Sequence, residues 1–206
     1  MSWYEQKVFN PLILDRTLDQ PDVNAERARL LAEAGGAVLE IGLGTGLNLP
    51  AYPAAVKEVA SVGPEADVHA YAARRAAARG LRITHAEGDA RALPFDAGHF
   101  DTVVCSFVLC TIPEPARAVR ELSRVLRPGG KLLFLEHVVA RGGARRVFQR
   151  LLNAPMRPIL CGCEVTRDSE RVIADNGFVI VGIERHDLAP MAWLHRGVIR
   201  GVATPG

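Results

Sequence analysis

The sequence predicts an α/β fold, a mostly parallel sheet with helices on both faces. Two observations carry this. Short, continuously apolar runs rich in β-branched residues alternate with helical segments along most of the chain, as expected of strands buried on both sides. The first of these runs leads directly into the glycine-rich turn Gly42-Leu43-Gly44-Thr45-Gly46. In open sheets of this class, ligands bind at such turns, at the carboxyl ends of the strands.

The elements follow in order. Asp22 and Asn24 are helix-capping types; they precede a helix over residues 25–33 that Gly35-Gly36 closes. Residues 1–35 thus form an N-terminal helical segment. Ala37-Val38-Leu39-Glu40-Ile41 reads as the first strand and residues 57–62 as the second. An alanine-rich helix over 67–79 stops at Gly80, and residues 81–86 form the third strand. Phe100-Asp101-Thr102-Val103-Val104-Cys105-Ser106 is the fourth. A helix over 115–126 ends before Pro128-Gly129-Gly130, and residues 131–139 form the fifth strand. A helix over 166–175, capped by Thr166, precedes strands at 178–185 and 197–202, which brings the total to seven. The one irregular insertion, about 140–165, is the expected lid on a single domain spanning 1–206.

Composition excludes several classes. With 49% hydrophobic and 23% charged residues the chain can bury a full core. Its 25 basic and 23 acidic residues give a net charge of +2, without the basic excess of a nucleic-acid binder. Four cysteines, Cys105, Cys110, Cys161 and Cys163, are too few for a disulfide framework. Cys161-x-Cys163 lacks a second ligand pair at zinc-site spacing, so no metal is expected. The first ten residues carry Glu5 and Lys7 and no apolar segment, and no run approaches a membrane span. The expectation is a cytoplasmic protein.

The glycine turn is Gly-x-Gly-x-Gly, with Leu47 where a dinucleotide-binding turn has its third glycine. That spacing disfavours a nicotinamide-dependent oxidoreductase. By itself the turn suits either a tight strand-to-helix connection or a ligand resting on bare main chain.

The run Val38-Leu39-Glu40-Ile41-Gly42-Leu43-Gly44-Thr45-Gly46 resembles the first motif of class I S-adenosylmethionine-dependent methyltransferases. Three further segments agree in order: Gly88-Asp89-Ala90 with Leu93-Pro94-Phe95, Phe100-Asp101-Thr102-Val103-Val104, and Arg124-Val125-Leu126-Arg127-Pro128-Gly129-Gly130. The narrower resemblance is to the small-molecule, ubiquinone/menaquinone-type branch, and within it to the methyltransferase-like seven group of membrane-associated thiol methyltransferases. It rests on Cys105-Ser106-Phe107-Val108-Leu109-Cys110, Glu136-His137-Val138 and Gly162-Cys163-Glu164-Val165-Thr166-Arg167.

The resemblance implies a Rossmann-like seven-stranded sheet with an antiparallel last strand, and S-adenosyl-L-methionine as cofactor with S-adenosyl-L-homocysteine as product. It implies that Gly42, Gly44 and Gly46 lie under the methionine and ribose of the cofactor, with Leu43, Thr45 and Asn48 in the same loop. Glu40 would face the ammonium group, Asp89 and Ala90 the adenine, and Ser106 and Phe107 the sulfonium. The family usually carries an acid at the end of the second strand for the ribose hydroxyls; here that end is Gly63-Pro64. Either a neighbour such as Glu65 or Asp67, or water, compensates, or cofactor use is weakened. A lost charged hydrogen bond is worth roughly 1.5–3 kcal/mol, about ten- to a hundredfold in affinity.

Methyl transfer is an in-line displacement that mainly needs alignment and desolvation. A thiolate acceptor needs little more, whereas an amine or phenol needs a base. His137, at the end of the fifth strand, is the candidate base, since an imidazole with its ordinary pKa near 6.5 suits proton removal at neutral pH; packing of the lid is the alternative. Glu136 either orients it or contacts solvent. Cys105 and Cys110 read as buried packing. Arg167 reads as part of a helix cap or as a reach toward an anionic substrate. The relatives carry His at position 164, where this chain has Glu164. Tyr4, Trp3 and Trp193 are candidate walls of an apolar acceptor pocket.

In the lid, Val147, Phe148, Leu151 and Leu152 recur at helical spacing among Arg141, Arg145, Arg146 and Arg150. Such a helix either covers the site with its apolar face or lies on an anionic membrane. The resemblance implies a small or lipid-like acceptor and, in its narrower form, a thiol. A phospholipid amine or a quinone-type ring, which the basic lid helix would suit, is an alternative, and a degenerate non-catalytic cofactor binder is the other. The sequence leaves the oligomeric state open.

Overall fold

The structure, a computed structural model, describes residues 15–63, 70–189 and 191–206. The apolar runs become β1 (Val38–Ile41), β2 (Glu58–Gly63), β3 (Arg82–Glu87), β4 (Phe100–Ser106), β5 (Leu126–His137), β6 (Phe178–Asp187) and β7 (Gly197–Pro205). Between them lie α1 (Asp15–Leu18), α2 (Pro21–Leu31), α3 (Ala70–Ala78), α4 (Pro115–Val125), α5 (Gly143–Met156) and α6 (Ser169–Ala174), with a 3-10 turn at Leu49–Ala51.

The seven strands form one sheet in the order β3-β2-β1-β4-β5-β7-β6. Strands β1 to β5 pair in parallel, and β7 runs antiparallel to both β5 and β6. The alternation of side chains splits the core in two. On one face Val38, Val59, Val104, Leu133 and Leu135 pack with Leu30 and Leu31 of α2 and with Ala72 and Ala76 of α3. On the other, Leu39, Ile41, Val103, Cys105, Leu132 and Phe134 pack with Ala118, Val119 and Leu122 of α4 and Ile173 of α6. Both layers are nearly or wholly shut off from solvent. That explains why the strands read as unbroken apolar runs instead of alternating ones.

Several boundaries differ from the sequence reading, and three of them have a local cause. Helix α2 begins at Pro21, which sits in its first turn, so Asp22 and Asn24 lie inside the helix and not at its cap. Helix α6 begins at Ser169, and the Asp168 side chain, not Thr166, caps it by accepting from the Arg171 amide at 3.2 Å. Strand β5 starts at Leu126. The Pro128-Gly129-Gly130 segment is absorbed in an irregularity of its pairing with β4, where Phe100 faces Leu126 and Thr102 faces Lys131.

Candidate active site

Strand order reverses at β1: the chain passes outward to β2 and β3, then returns to β4 on the other side. Such a reversal leaves a crevice beyond the carboxyl ends of the two central strands. A cavity of about 440 Å³ lies there, lined by residues of the glycine loop, the end of β4, the end of β5 and the segment after α5.

Gly42, Leu43, Gly44 and Thr45 line one half of it. All three loop glycines have positive φ. A Cβ on Gly42 would stand 2.8 Å from Val108 Cγ2, and one on Gly46 would stand 2.6 Å from Leu49 Cδ1 and 2.9 Å from Ala72 Cα. At Gly44 the nearest such atom is 3.9 Å away. Glycine at 42 and 46 therefore permits packing, whereas Gly44 presents bare main chain to the cavity. The loop is clamped from outside: Thr45 Oγ1 donates to Asp15, and Arg75 donates to the Thr45 carbonyl at 2.6 Å and pairs with Asp15 at 3.1 Å.

Glu40 is buried at the end of β1 and lines the cavity. Asn48 Nδ2 donates to one of its oxygens at 3.0 Å and the Tyr52 hydroxyl to the other at 2.6 Å. Burial raises its carboxyl to about 7, against the lowering pull of Tyr52, Asn48 and the Arg27 charge. Arg27 of α2 completes the network. It is almost fully buried, donates to Asn48 Oδ1 at 3.0 Å and to the Leu18 carbonyl at 2.7 Å, and stands 5.8 Å over the Phe107 ring. Burial brings its guanidinium down to about 10.

Ser106 and Phe107 line the cavity where β4 ends. Phe107 has φ 53°, a left-handed conformation that costs a side-chain-bearing residue about 1–2 kcal/mol. Two contacts hold it. Its amide donates to the Leu135 carbonyl at 2.8 Å, and the next two amides, of Val108 and Leu109, both donate to Glu136 Oε1 at 3.0 Å. Glu136 is wholly buried, and burial raises its carboxyl to about 7. Adjacent on β5, Glu136 and His137 point to opposite faces of the sheet. The Glu136 carboxylate therefore braces the turn after β4, neither orienting His137 nor meeting solvent.

Opposite the glycine loop, His137 Nε2 lies 3.0 Å from Cys163 Sγ, and Cys163 Sγ lies 3.6 Å from Cys110 Sγ. His195 packs edge-on against His137 with ring centroids 5.1 Å apart. Hydrogen bonds from Cys110, then His137 and His195, hold the Cys163 thiol well below its usual range, while its partner Cys110 is pushed up. No disulfide joins the four cysteines. Leu160, Met191 and Ala192 supply apolar wall. Arg167 is turned away, pairing with Glu164 at 3.0 Å and donating to the Ile112 carbonyl.

Helix α5 does not cover the cavity with its apolar side. Val147, Phe148, Leu151 and Leu152 are exposed, Leu151 by 67%, and Phe148 packs edge-on against the exposed Trp193. The residue α5 buries is Gln149, which accepts from the Ala140 amide at 2.8 Å and donates to the Leu194 carbonyl at 2.8 Å. Among the described residues no helix is long and apolar enough to cross a membrane.

Nine of the expected site residues therefore line one cavity: Glu40, Gly42, Leu43, Gly44, Thr45, Asn48, Ser106, Phe107 and His137. Gly46, Glu136, Gly63, Asp89 and Ala90 do not line it. Gly63 ends β2, where its carbonyl accepts from the Gly88 amide at 3.1 Å. The Asp89 carboxylate is gripped by Arg91 at 2.6 Å, which holds it below the usual carboxylate range. Pro64, Glu65, Asp67, Trp3 and Tyr4 lie outside the described residues. Sequence reasoning missed Arg27, which reads as one helical arginine among several. It also missed Met191 and His195, which sit in a β6–β7 connection without a motif.

A family profile described as "Methyltransferase domain" matches residues 39–134. Human thiol S-methyltransferase TMT1A is 34% identical over 161 residues, 76% of this chain and 65% of that protein. Human thiol S-methyltransferase TMT1B is 33% identical over 166 residues, 78% of this chain and 67% of that protein. The chain belongs to the class I S-adenosylmethionine-dependent methyltransferases. It spans about two thirds of the length of those thiol methyltransferases. A putative methyltransferase from Bacillus halodurans shares the fold of this methyltransferase, with a TM-score of 0.67 at 19% identity over 88% of this chain and 96% of that one.

Proposed function

We propose that this chain transfers the methyl group of S-adenosylmethionine to a small thiol. One observation carries the reading. The end of the cavity facing the glycine loop is an apolar wall bearing His137 and Cys163, while the buried Glu136 braces backbone amides through Oε1 and does not line the cavity. That end is built to exclude water and hold a soft, easily ionised nucleophile, with no acid to anchor an amine. The 34% identity to a thiol S-methyltransferase supports the same acceptor class.

The cofactor supplies an electrophilic methyl on a sulfonium. The residues fit it. Glu40 offers a buried carboxylate to the ammonium, and Arg27 beside it offers a cation to the carboxylate of the amino-acid end. Gly44 leaves main chain bare, and Phe107 presents a ring face to the sulfonium. Gly63 gives the ribose no acidic partner, so that contact falls to a neighbour such as Glu65 or Asp67, or to water. Asp89 and Ala90 serve the adenine once Asp89 exchanges its Arg91 partner. His137 takes the proton of the acceptor thiol, and Glu136 positions Phe107.

A second acceptor class, a membrane-borne lipid amine, is favoured by the exposed apolar side of α5 beside Arg141 and Arg150, which suits an anionic lipid surface.

The test is incubation of the protein with S-adenosylmethionine and a panel of alkyl and aryl thiols, read by mass spectrometry. Methyl thioether and S-adenosylhomocysteine in equal amounts are expected. Failure to methylate any thiol, with lipid amine methylated instead, overturns the reading.

A further inference from the structure

We propose that Cys110, His137 and Cys163 form a zinc site whose fourth position opens into the cavity and takes the acceptor thiolate. The atoms that would bind the ion, Cys110 Sγ, Cys163 Sγ and one imidazole nitrogen of His137, lie within 4.8 Å of one another. Zinc bonds of about 2.3 Å to sulfur and 2.0–2.1 Å to nitrogen imply tetrahedral edges of about 3.8 Å between sulfurs and about 3.5 Å between sulfur and nitrogen. The observed separations are 3.6 Å and 3.0 Å. The sulfur pair already fits, and the histidine needs to withdraw by about half an ångström.

The donor set selects the metal. Two thiolates and an imidazole suit zinc and exclude magnesium and calcium, which demand oxygen. Three protein ligands with one open position is the pattern of zinc sites that do chemistry. All three ligands line the cavity, so the open position faces the space reserved for the acceptor.

The backbone holds the ligands in place. The Glu164 amide donates to the Cys110 carbonyl at 3.0 Å, tying the segment after α5 to the turn after β4. Glu136 fixes the two amides before Cys110, and His137 pairs in register with Val198 of β7. His195 packs edge-on against the His137 ring with centroids 5.1 Å apart, an outer contact that holds this ligand's orientation.

The chemistry deepens the thiol reading and rests on it. A thiol bound to zinc gives up its proton, which passes to solvent, and remains nucleophilic. Its sulfur lone pair forms the new S–C bond while the cofactor's S–CH3 bond breaks. The leaving sulfur departs as a neutral thioether, and the methylated product, a poor ligand, dissociates. His137 then acts as a ligand, and the metal replaces it in removing the proton.

The experiment is elemental analysis of the full chain purified with zinc, followed by replacement with cobalt(II). One zinc per chain is expected, and the cobalt form should show thiolate-to-metal charge transfer with the ligand-field bands of a tetrahedral site. Cys163→Ser and Cys110→Ser should weaken metal binding by more than the ~10–100-fold that loss of an outer partner costs. S-adenosylhomocysteine binding by each variant reports that it is folded, and Cys161→Ser should keep the metal. Adding a small thiol to the cobalt form should intensify the charge-transfer band. No metal in the wild-type chain, or equal metal in the Cys163→Ser variant, overturns the site. A cobalt spectrum indifferent to thiol overturns its role in acceptor binding. A metal-free protein that methylates thiols at the full rate also overturns that role, leaves the thiol reading standing and returns His137 to the part of base. A cobalt form that answers to thiol in a protein that methylates none keeps the site and removes the thiol reading.

Discussion

The two halves of the cavity are built in opposite ways. The glycine-loop half is assembled from one short stretch, residues 40–52, with Arg27 and Arg75 closing hydrogen bonds around it. Its polar atoms are paired before any ligand arrives. The His137 half draws on the ends of β4 and β5, the segment after α5 and the β6–β7 connection, and here the buried His137 Nδ1 stands without a protein partner. The preformed half suits a cofactor that never varies. The looser half suits an acceptor that must enter, react and leave.

Breaking the preformed half should cost most. Gly46→Ala places a Cβ against Leu49 and the Ala72 backbone at positive φ. We expect about 2–4 kcal/mol of lost stability in urea unfolding, and loss of S-adenosylhomocysteine binding. Gly44→Ala, with open space before its Cβ, should cost only the φ strain of about 1–2 kcal/mol. Equal losses at both positions would contradict the distinction between packing and bare main chain.

Glu40 gives the next effect, and its sign can be worked out. Its carboxyl sits at about 7 when folded, above the ordinary 4.5. The protonated form therefore favours the fold. That contribution is full below about 4.5 and is lost as pH rises through about 7, a change of roughly 3 kcal/mol. A ligand ammonium favours the ionised form, so calorimetry should show S-adenosylhomocysteine binding strengthening as pH rises through 7. Glu40→Gln should weaken binding about 10–100-fold above pH 7 and flatten the profile.

Helix α5 offers the smaller effects. Gln149→Ala strips partners from three backbone groups, the Ala140 amide and the Val138 and Leu194 carbonyls, and should loosen α5 by about 1–3 kcal/mol, read as faster local hydrogen exchange with S-adenosylhomocysteine binding unchanged. Leu151→Ser should leave stability within about 0.5 kcal/mol, since the side chain is exposed, yet reduce cosedimentation with anionic vesicles.

The same contrast decides what the sequence revealed. Strands β1 and β4 and the glycine loop are contiguous patterns of apolar run and turn, and local chemistry fixes them. Cys110 and Cys163 stand 53 positions apart and His137 lies 26 before Cys163. Only the pairing of β4 with β5, and the fold-back after α5, brings them together, so no spacing motif announces them. The apolar stripe of α5 was visible as a stripe. Its outward direction was not, because the buried polar Gln149 decides which side faces in. Arg27 was hidden for a related reason: an arginine in a helix reads as surface until its tertiary partners Asn48 and Phe107 are known.

The most direct test puts both acceptor classes in one reaction. Protein is incubated with methyl-labelled S-adenosylmethionine, a small aryl thiol and phosphatidylethanolamine vesicles together. The account predicts label on the thiol sulfur. Label on the lipid amine, with the thiol untouched, would contradict it.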